Sequence, residues 1–93
     1  MEIQHLKEGS KGAFLVAEGK EHLAEMTYTM AGTTKMIIDH TEVSEKLSGQ
    51  GVGKKLVLAA VDYARQNQIK ILPLCPFAKS VFGKTPEIRD VLV

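Results

Sequence analysis

The sequence predicts an α+β fold: a mixed, mostly antiparallel sheet of about five strands, a β-loop-α-β unit, and a short C-terminal helix or two. Three observations predict it. Apolar and polar residues alternate in runs from the N-terminus to Val43, and glycine-centred turns separate the runs. Gly49-Gln50-Gly51-Val52-Gly53 then opens a segment whose apolar residues recur at helical spacing. A short apolar run, Ile69 to Leu74, follows that segment and leads into a proline-marked helix start.

A weak first strand is expected over Glu2 to Lys7. Gly12 to Glu18 (GAFLVAE) makes the next, after a turn at Gly9-Ser10. His22 to Met30 (HLAEMTYTM) puts Leu23, Glu25, Thr27 and Thr29 on one face and Met26 and Tyr28 on the other. Gly19-Lys20-Glu21 joins these two runs as a hairpin, and Ala31-Gly32-Thr33-Thr34 turns the chain again. Lys35 to Val43 (KMIIDHTEV) is the fourth strand.

Val52, Leu56, Ala59, Ala60, Tyr63 and Ala64 then trace one face of a helix ending near Asn67. Pro73 sits inside the fifth apolar run. Proline cannot donate to a sheet ladder, so this strand must lose pairing near its end. Cys75-Pro76-Phe77 starts a short helix, with Gly83 expected to terminate it. Thr85-Pro86-Glu87 opens a last turn, with threonine as cap. The order is β-β-β-β-α-β-α with a terminal turn, and residues 1–93 are expected to form one domain.

Composition narrows the function. Lys+Arg is 12 and Asp+Glu 11, a net charge of +1, which argues against a dedicated nucleic-acid binder. The longest strongly apolar run, Leu56 to Val61, is far short of the roughly 20 residues a membrane span needs. Met1-Glu2-Ile3-Gln4-His5 starts neither a basic nor an apolar stretch, so no secretory signal is expected. The lone Cys75 allows no internal disulfide, so a cytoplasmic protein is expected. Three histidines and one cysteine show no metal-ligand spacing, so no metal is expected.

The strongest chemical signal is Ser48-Gly49-Gln50-Gly51-Val52-Gly53-Lys54-Lys55, between a strand and a helix. Glycines let the backbone turn tightly and approach a ligand closely. The first N–H groups of a helix lack internal partners, and the macrodipole makes them attractive to anions. Lys54 and Lys55 add charge, so the loop suits a pyrophosphate. A Walker A loop fails on spacing, since Lys55 follows Lys54. The dinucleotide fingerprint fails because its third glycine falls on Leu56 or Lys54.

This segment resembles motif A of the GNAT superfamily, the acyl-CoA-dependent N-acyltransferases, with the pattern [RQ]-x-x-G-x-[GA]. Gly51 and Gly53 match its small positions, and Ser48 replaces the first Arg or Gln. A second family pattern, N-x-x-A-x-x-[LF]-Y-x-K, is matched by Ala78 and Lys84, with Cys75 for the asparagine and Phe82 for the tyrosine. With HTEV and PLCPFAKSVF, the chain is similar to the short single-domain YjdJ-type branch.

The resemblance implies a minimal GNAT fold and an N-acetyltransferase. It would move acetyl from acetyl-CoA, as co-substrate, to an amine acceptor that is a small molecule or a protein. A non-catalytic acyl-CoA-binding module is the alternative. Thr41, Val43, Gly49, Gln50, Gly51, Val52, Gly53, Lys54, Lys55 and Phe82 are implied to hold the CoA. Phe82 cannot protonate the departing thiolate as the family's tyrosine does. The family's acceptor-covering parts are missing here, which leaves the acceptor side open or completed by a partner subunit. The oligomeric state and the acceptor stay open.

Three residues are candidates for chemistry. Cys75 starts a helix, where amides and dipole favour an anionic sulfur, and the resemblance puts it beside the thioester. It would form an acyl-cysteine, or else fill a packing position. His40 and Glu42 share a face of the fourth strand, with Asp39 and Thr41 expected on the other. Histidine titrates near neutrality, so His40 is the first candidate to deprotonate the amine or Cys75, and Glu42 the second. Phe14, Tyr28 and Tyr63 read as core or half-buried. His5 and His22 read as solvated.

Overall fold

A computed structural model describes residues 2–93. Four strands form a meander: β1 (Gln4–Glu8), β2 (Lys11–Glu18), β3 (Glu21–Ala31) and β4 (Lys35–Val43), each antiparallel to its neighbour. A 3-10 turn (Glu45–Leu47) leads to α1 (Val52–Asn67), and β5 (Lys70–Pro73) returns parallel to β4. Then come α2 (Pro76–Lys84) and a second 3-10 turn (Pro86–Val91). The sheet order is β1-β2-β3-β4-β5.

The helices cover one face of the sheet. Met26, Met36, Ile38 and Tyr28 on that face pack against Leu56, Val57 and Ala60 of α1 and Ala78 and Phe82 of α2. Val52, Leu56, Ala60 and Ala64 of the predicted α1 stripe are buried, but Ala59 and Tyr63 are only partly so, and Val57 and Val61, outside that stripe, complete the buried face. Glu25, Thr27 and Thr29 take the other face, as their alternation with Met26 and Tyr28 requires, but Leu23, expected beside them, is buried in the core, because the β2–β3 register skips it between Val16↔Ala24 and Ala17↔His22.

Two irregularities shape the sheet next to β5. Pairing of β4 with β5 stops at Ile38↔Pro73, while β4 runs on to Val43. Pro73 has no N–H to give, so the ladder ends where the sequence said it must. The next two amides, Leu74 and Cys75, both donate to the Ile38 carbonyl, at 3.1 and 3.3 Å. Beside that point β4 bulges. Its register with β3 skips from Tyr28↔Ile38 to Thr27↔His40, leaving Asp39 unmatched. A bulged strand bends and twists more strongly, so β4 leaves the line of β5 here and a split opens.

The bulge also corrects one expectation. Asp39 does not share a face with Thr41: its carboxylate accepts from Thr29 Oγ1, at 2.7 Å, on the uncovered face. His40 and Glu42 lie on that same uncovered face, opposite Thr27 and Glu25. Thr41 and Val43, opposite Met26 and Ala24, point to the helix side.

At the C-terminal end, Gly83 does not terminate α2. The helix runs through it to Lys84, with Thr85 at the cap. Arg89 does that work, donating to the carbonyls of Phe82 and Gly83 at 3.0 and 2.6 Å. Arg65 of α1 fixes the last turn through Asp90, at 2.7 Å. Leu92 then forms a parallel bridge to Ile71.

Candidate functional site

A groove of about 530 Å³ runs between the 44–54 segment and α2. One wall is the chain leaving β4: Val43, Ser44, Leu47 and Ser48. The second is the loop and first turn of α1: Gly49, Gly51, Val52, Gly53 and Lys54. The third is α2, which supplies Phe77, Ser80, Val81 and Lys84.

The glycines do different jobs. Gly49 and Gly51 have φ of 80° and 68°, in the left-handed region that favours glycine. Gly51 is the N-cap of α1, so the amides that follow it begin a sixteen-residue helix and face the groove without intrahelical partners. With Lys54 and Lys84 on the rim, this end of the groove suits an anion. Gly53 is already inside the helix, and a Cβ there would lie 2.6 Å from the Phe77 ring.

Cys75 is the N-cap of α2, as its position before Pro76 predicted. It is 6% exposed. Its sulfur accepts from the Ala78 amide at 3.5 Å, and its thiol donates to Thr41 Oγ1 at 3.3 Å. The cysteine is therefore buried where β4 and β5 part, held between a helix N-terminus and a β4 hydroxyl, and it is not one of the residues that line the groove. The first turn of α1 lines the groove with Val52, Gly53 and Lys54, and the first turn of α2 reaches it through Phe77 alone.

The sequence candidates divide on this frame. Val43, Gly49, Gly51, Val52, Gly53 and Lys54 line the groove. Gln50 and Lys55 are exposed beside it, and Thr41 touches Cys75 instead. Phe82 is 2% exposed and belongs to the core, so it is no groove wall: its face of α2 turns toward the sheet. His40 contacts Glu42, with Nε2 3.1 Å from Oε1, and their side chains are 65% and 75% exposed. Because the bulge puts them on the uncovered face, His40 does not reach Cys75 on the helix side. The expectation that it deprotonates that thiol is corrected.

Phe77, Ser80, Lys84 and Leu47 were not expected as groove walls, although Lys84 matches a family motif and Phe77 a helix start. Three of them recur at helical spacing from the N-terminus of α2 (Phe77, Ser80, Lys84), which is the signal that would have found them. Among the described residues, no group of three or more His, Cys, Asp or Glu is placed to hold a metal ion. No helix there is long and apolar enough to cross a membrane.

A polar cluster lies at the opposite end of the covered face. His5 stacks on Phe14 at 4.1 Å and meets Tyr63 edge-on at 4.6 Å. Its Nε2 is 2.6 Å from the Tyr28 hydroxyl, and Lys7 Nζ donates to Tyr63 at 3.1 Å. His5 is thus packed rather than solvated, because register sets it beside Phe14. Burial first, and Lys7 second, lower its pKa. Burial, with Tyr63 adding to it, pushes the Tyr28 phenol up to about 12, so it stays a proton donor.

Residues 13–91 match the sequence model of the GCN5-related N-acetyl-transferase family. Among solved structures, the chain is similar to a Staphylococcus aureus protein provisionally described as a GCN5-like N-acetyltransferase. The two share 40% identity over 97% of this chain and 87% of that one, with a TM-score of 0.73. It is similar in fold alone to a ribosomal-protein-alanine N-acetyltransferase from Brucella melitensis biovar Abortus, at 15% identity and TM-score 0.68, over 83% of this chain and 62% of that one. Tetrahymena GCN5 gives 15% identity and TM-score 0.66, over 83% of this chain and 51% of that one. No curated protein matches the chain by sequence.

Proposed function

The chain belongs to the GCN5-related N-acetyltransferase family, and on that premise we propose that residues 1–93 act as one transferase unit that moves acetyl from acetyl-CoA to an amine. The observation that carries the reading is the shared groove. The N-terminus of α1 opens at one end of it, and α2, capped by Cys75, forms its wall.

The pyrophosphate binds the amides after Gly51, with Lys54 and Lys84 supplying charge. The pantetheine arm lies along β4 past Ile38, where the strand has lost its β5 neighbour. An extended arm with amides can bond such an edge as an added strand does. Thr41 and Val43 face it, and the thioester reaches the split beside Cys75.

The Cys75 sulfur attacks the thioester carbonyl, CoA leaves as the thiol, and the acetyl group rests on the cysteine. The amine then attacks that carbonyl from the uncovered face through the split, regenerating the cysteine. His40 or Glu42, both on that face, takes the amine's proton. Glu25 stands directly opposite Glu42 in the ladder. Like charges so placed are unfavourable, and a cationic amine arriving there offsets the repulsion. The sequence alone showed no acidic pocket, because the two glutamates meet only through strand pairing.

Phe82 favours a second reading, an acyl-CoA-binding module without turnover. Buried and without a hydroxyl, it supplies no acid for the departing CoA. We also place the chain in the cytoplasm and in the YjdJ-type branch, on the sequence features given first.

Titration calorimetry with acetyl-CoA tests the shared core of both readings, and no binding at millimolar ligand would sink them together. An acceptor screen following CoA release separates them. Release that depends on an added amine supports the transferase, and binding without release supports the module.

A further inference from the structure

Phe77 is an oddity of the groove. It is 42% exposed, although it is a large aromatic residue on a helix with a well-formed buried side. It is the second residue of α2, two after Cys75. Its ring lies on Gly53, the second residue of α1, with ring atoms 2.6 and 2.8 Å from where a Cβ would stand. Gly53 is not in the left-handed region, so its backbone does not demand glycine. What demands glycine is the ring.

Position gives the ring its meaning. The anion-binding amides start after Gly51, and the reactive sulfur is at Cys75. Phe77 touches the first helix near those amides and belongs to the first turn that the sulfur caps. It lies between the two ends of any ligand that spans them. The rim on either side is polar or charged, at Ser44, Ser48, Lys54 and Lys84. The exposed ring offers a broad apolar surface among them, suited to a flexible arm of methylenes and amides rather than to phosphate.

We propose that Phe77 is a further binding residue of the groove, gripping the pantetheine arm of CoA, and that Gly53 is kept small to seat its ring rather than to clear the pyrophosphate. This rests on the acetyl-CoA reading above. A methyl group at position 53 meets the far edge of a half-exposed side chain, which can swing aside. Gly53→Ala therefore folds, displaces the ring and weakens the grip.

The test measures two ligands by calorimetry, CoA and its nucleotide half, 3′-phospho-ADP, which lacks the arm. Phe77→Leu should weaken CoA roughly tenfold, the scale of one lost aromatic contact, and leave the nucleotide half within about twofold. Gly53→Ala should also weaken CoA. In the double variant the glycine change should cost nothing further, because the ring it displaces is gone. An equal loss for both ligands in Phe77→Leu overturns the assignment to the arm, and unchanged CoA affinity overturns the contact. A Gly53→Ala defect of full size in the Phe77→Leu background overturns the seat. Wild-type protein that binds neither ligand defeats the acetyl-CoA reading, and the proposal with it.

Discussion

The two ends of the covered face handle polar atoms in opposite ways. Around His5 polar groups pair within the protein: imidazole Nε2 with the Tyr28 phenol and the Lys7 ammonium with the Tyr63 phenol, with the imidazole ring stacked on Phe14. Around the groove the polar groups face outward: the first amides of α1, Lys54 and Lys84. One end completes itself, and the other is built to be completed. Buried polar groups must be matched within the protein, whereas exposed ones stay free to exchange water for a ligand, so the open end is the one equipped to bind. Substitutions at the closed end should therefore act on stability, and those at the open end on binding and turnover.

The sharpest break in that contrast is at the split. Cys75→Ala should abolish turnover and remove an acetyl adduct from the intact-mass spectrum, while CoA affinity survives. Full activity in Cys75→Ala with no adduct in the wild type would leave direct transfer. His40→Ala should lower turnover by roughly 10²–10⁴, with CoA affinity little changed, and steady-state kinetics would read it. A larger loss in Glu42→Gln moves the proton acceptor to the carboxylate.

At the closed end the largest effect belongs to Gly12. A Cβ there runs into the Tyr28 ring, which is buried and bonded to His5 and has little room to yield. Gly12→Ala should destabilise by about 1–3 kcal/mol in chemical denaturation, with CoA affinity unaltered. Lost affinity without lost stability would erase the division between the ends. At the open end Lys54→Ala should weaken CoA about tenfold and flatten the salt dependence of binding, with no change in denaturation midpoint.

The smallest effect is the dependence of stability on pH at His5. Its folded pKa lies below the ordinary value of about 6.5, so the unfolded chain binds the proton more tightly. This contribution is full above that ordinary value and is lost as pH falls through the lowered one. Denaturation midpoints should decline on acidification below about pH 6.5, and His5→Phe should blunt the decline. An identical slope in the variant would assign it to other groups.

What the sequence revealed was whatever local pattern controls. The α1 stripe, the hairpin turns, the cap at Cys75 and the end of β5 at Pro73 each rest on a few neighbouring residues. What it hid arises from pairing across the chain. His5 reads as solvated until register sets it against Phe14. Gly53 reads as part of a phosphate loop until Phe77, far along the chain, is seen lying on it. Gly83 reads as a helix stop because the arginine that caps the carbonyls comes later and from outside the helix. Phe82 aligns with a family motif, yet the side of α2 it occupies is decided by packing. Family membership was legible from two short motifs, whereas the walls of the groove were not.

The extra residue in β4 separates two properties that strands usually bind together. In a regular strand, adding one residue reverses the facing of all that follow. Here Asp39 and His40 both face outward, so the residues after them face as they would in a strand lacking Asp39. Deleting that one codon would leave Thr41 beside Cys75 and His40 and Glu42 outside, with every side chain on its present side. Only the course of the strand would change, straightening toward β5 and narrowing the split. A single-codon deletion would thus spare the fold's inside–outside pattern while narrowing the split at which we propose that the two substrates meet.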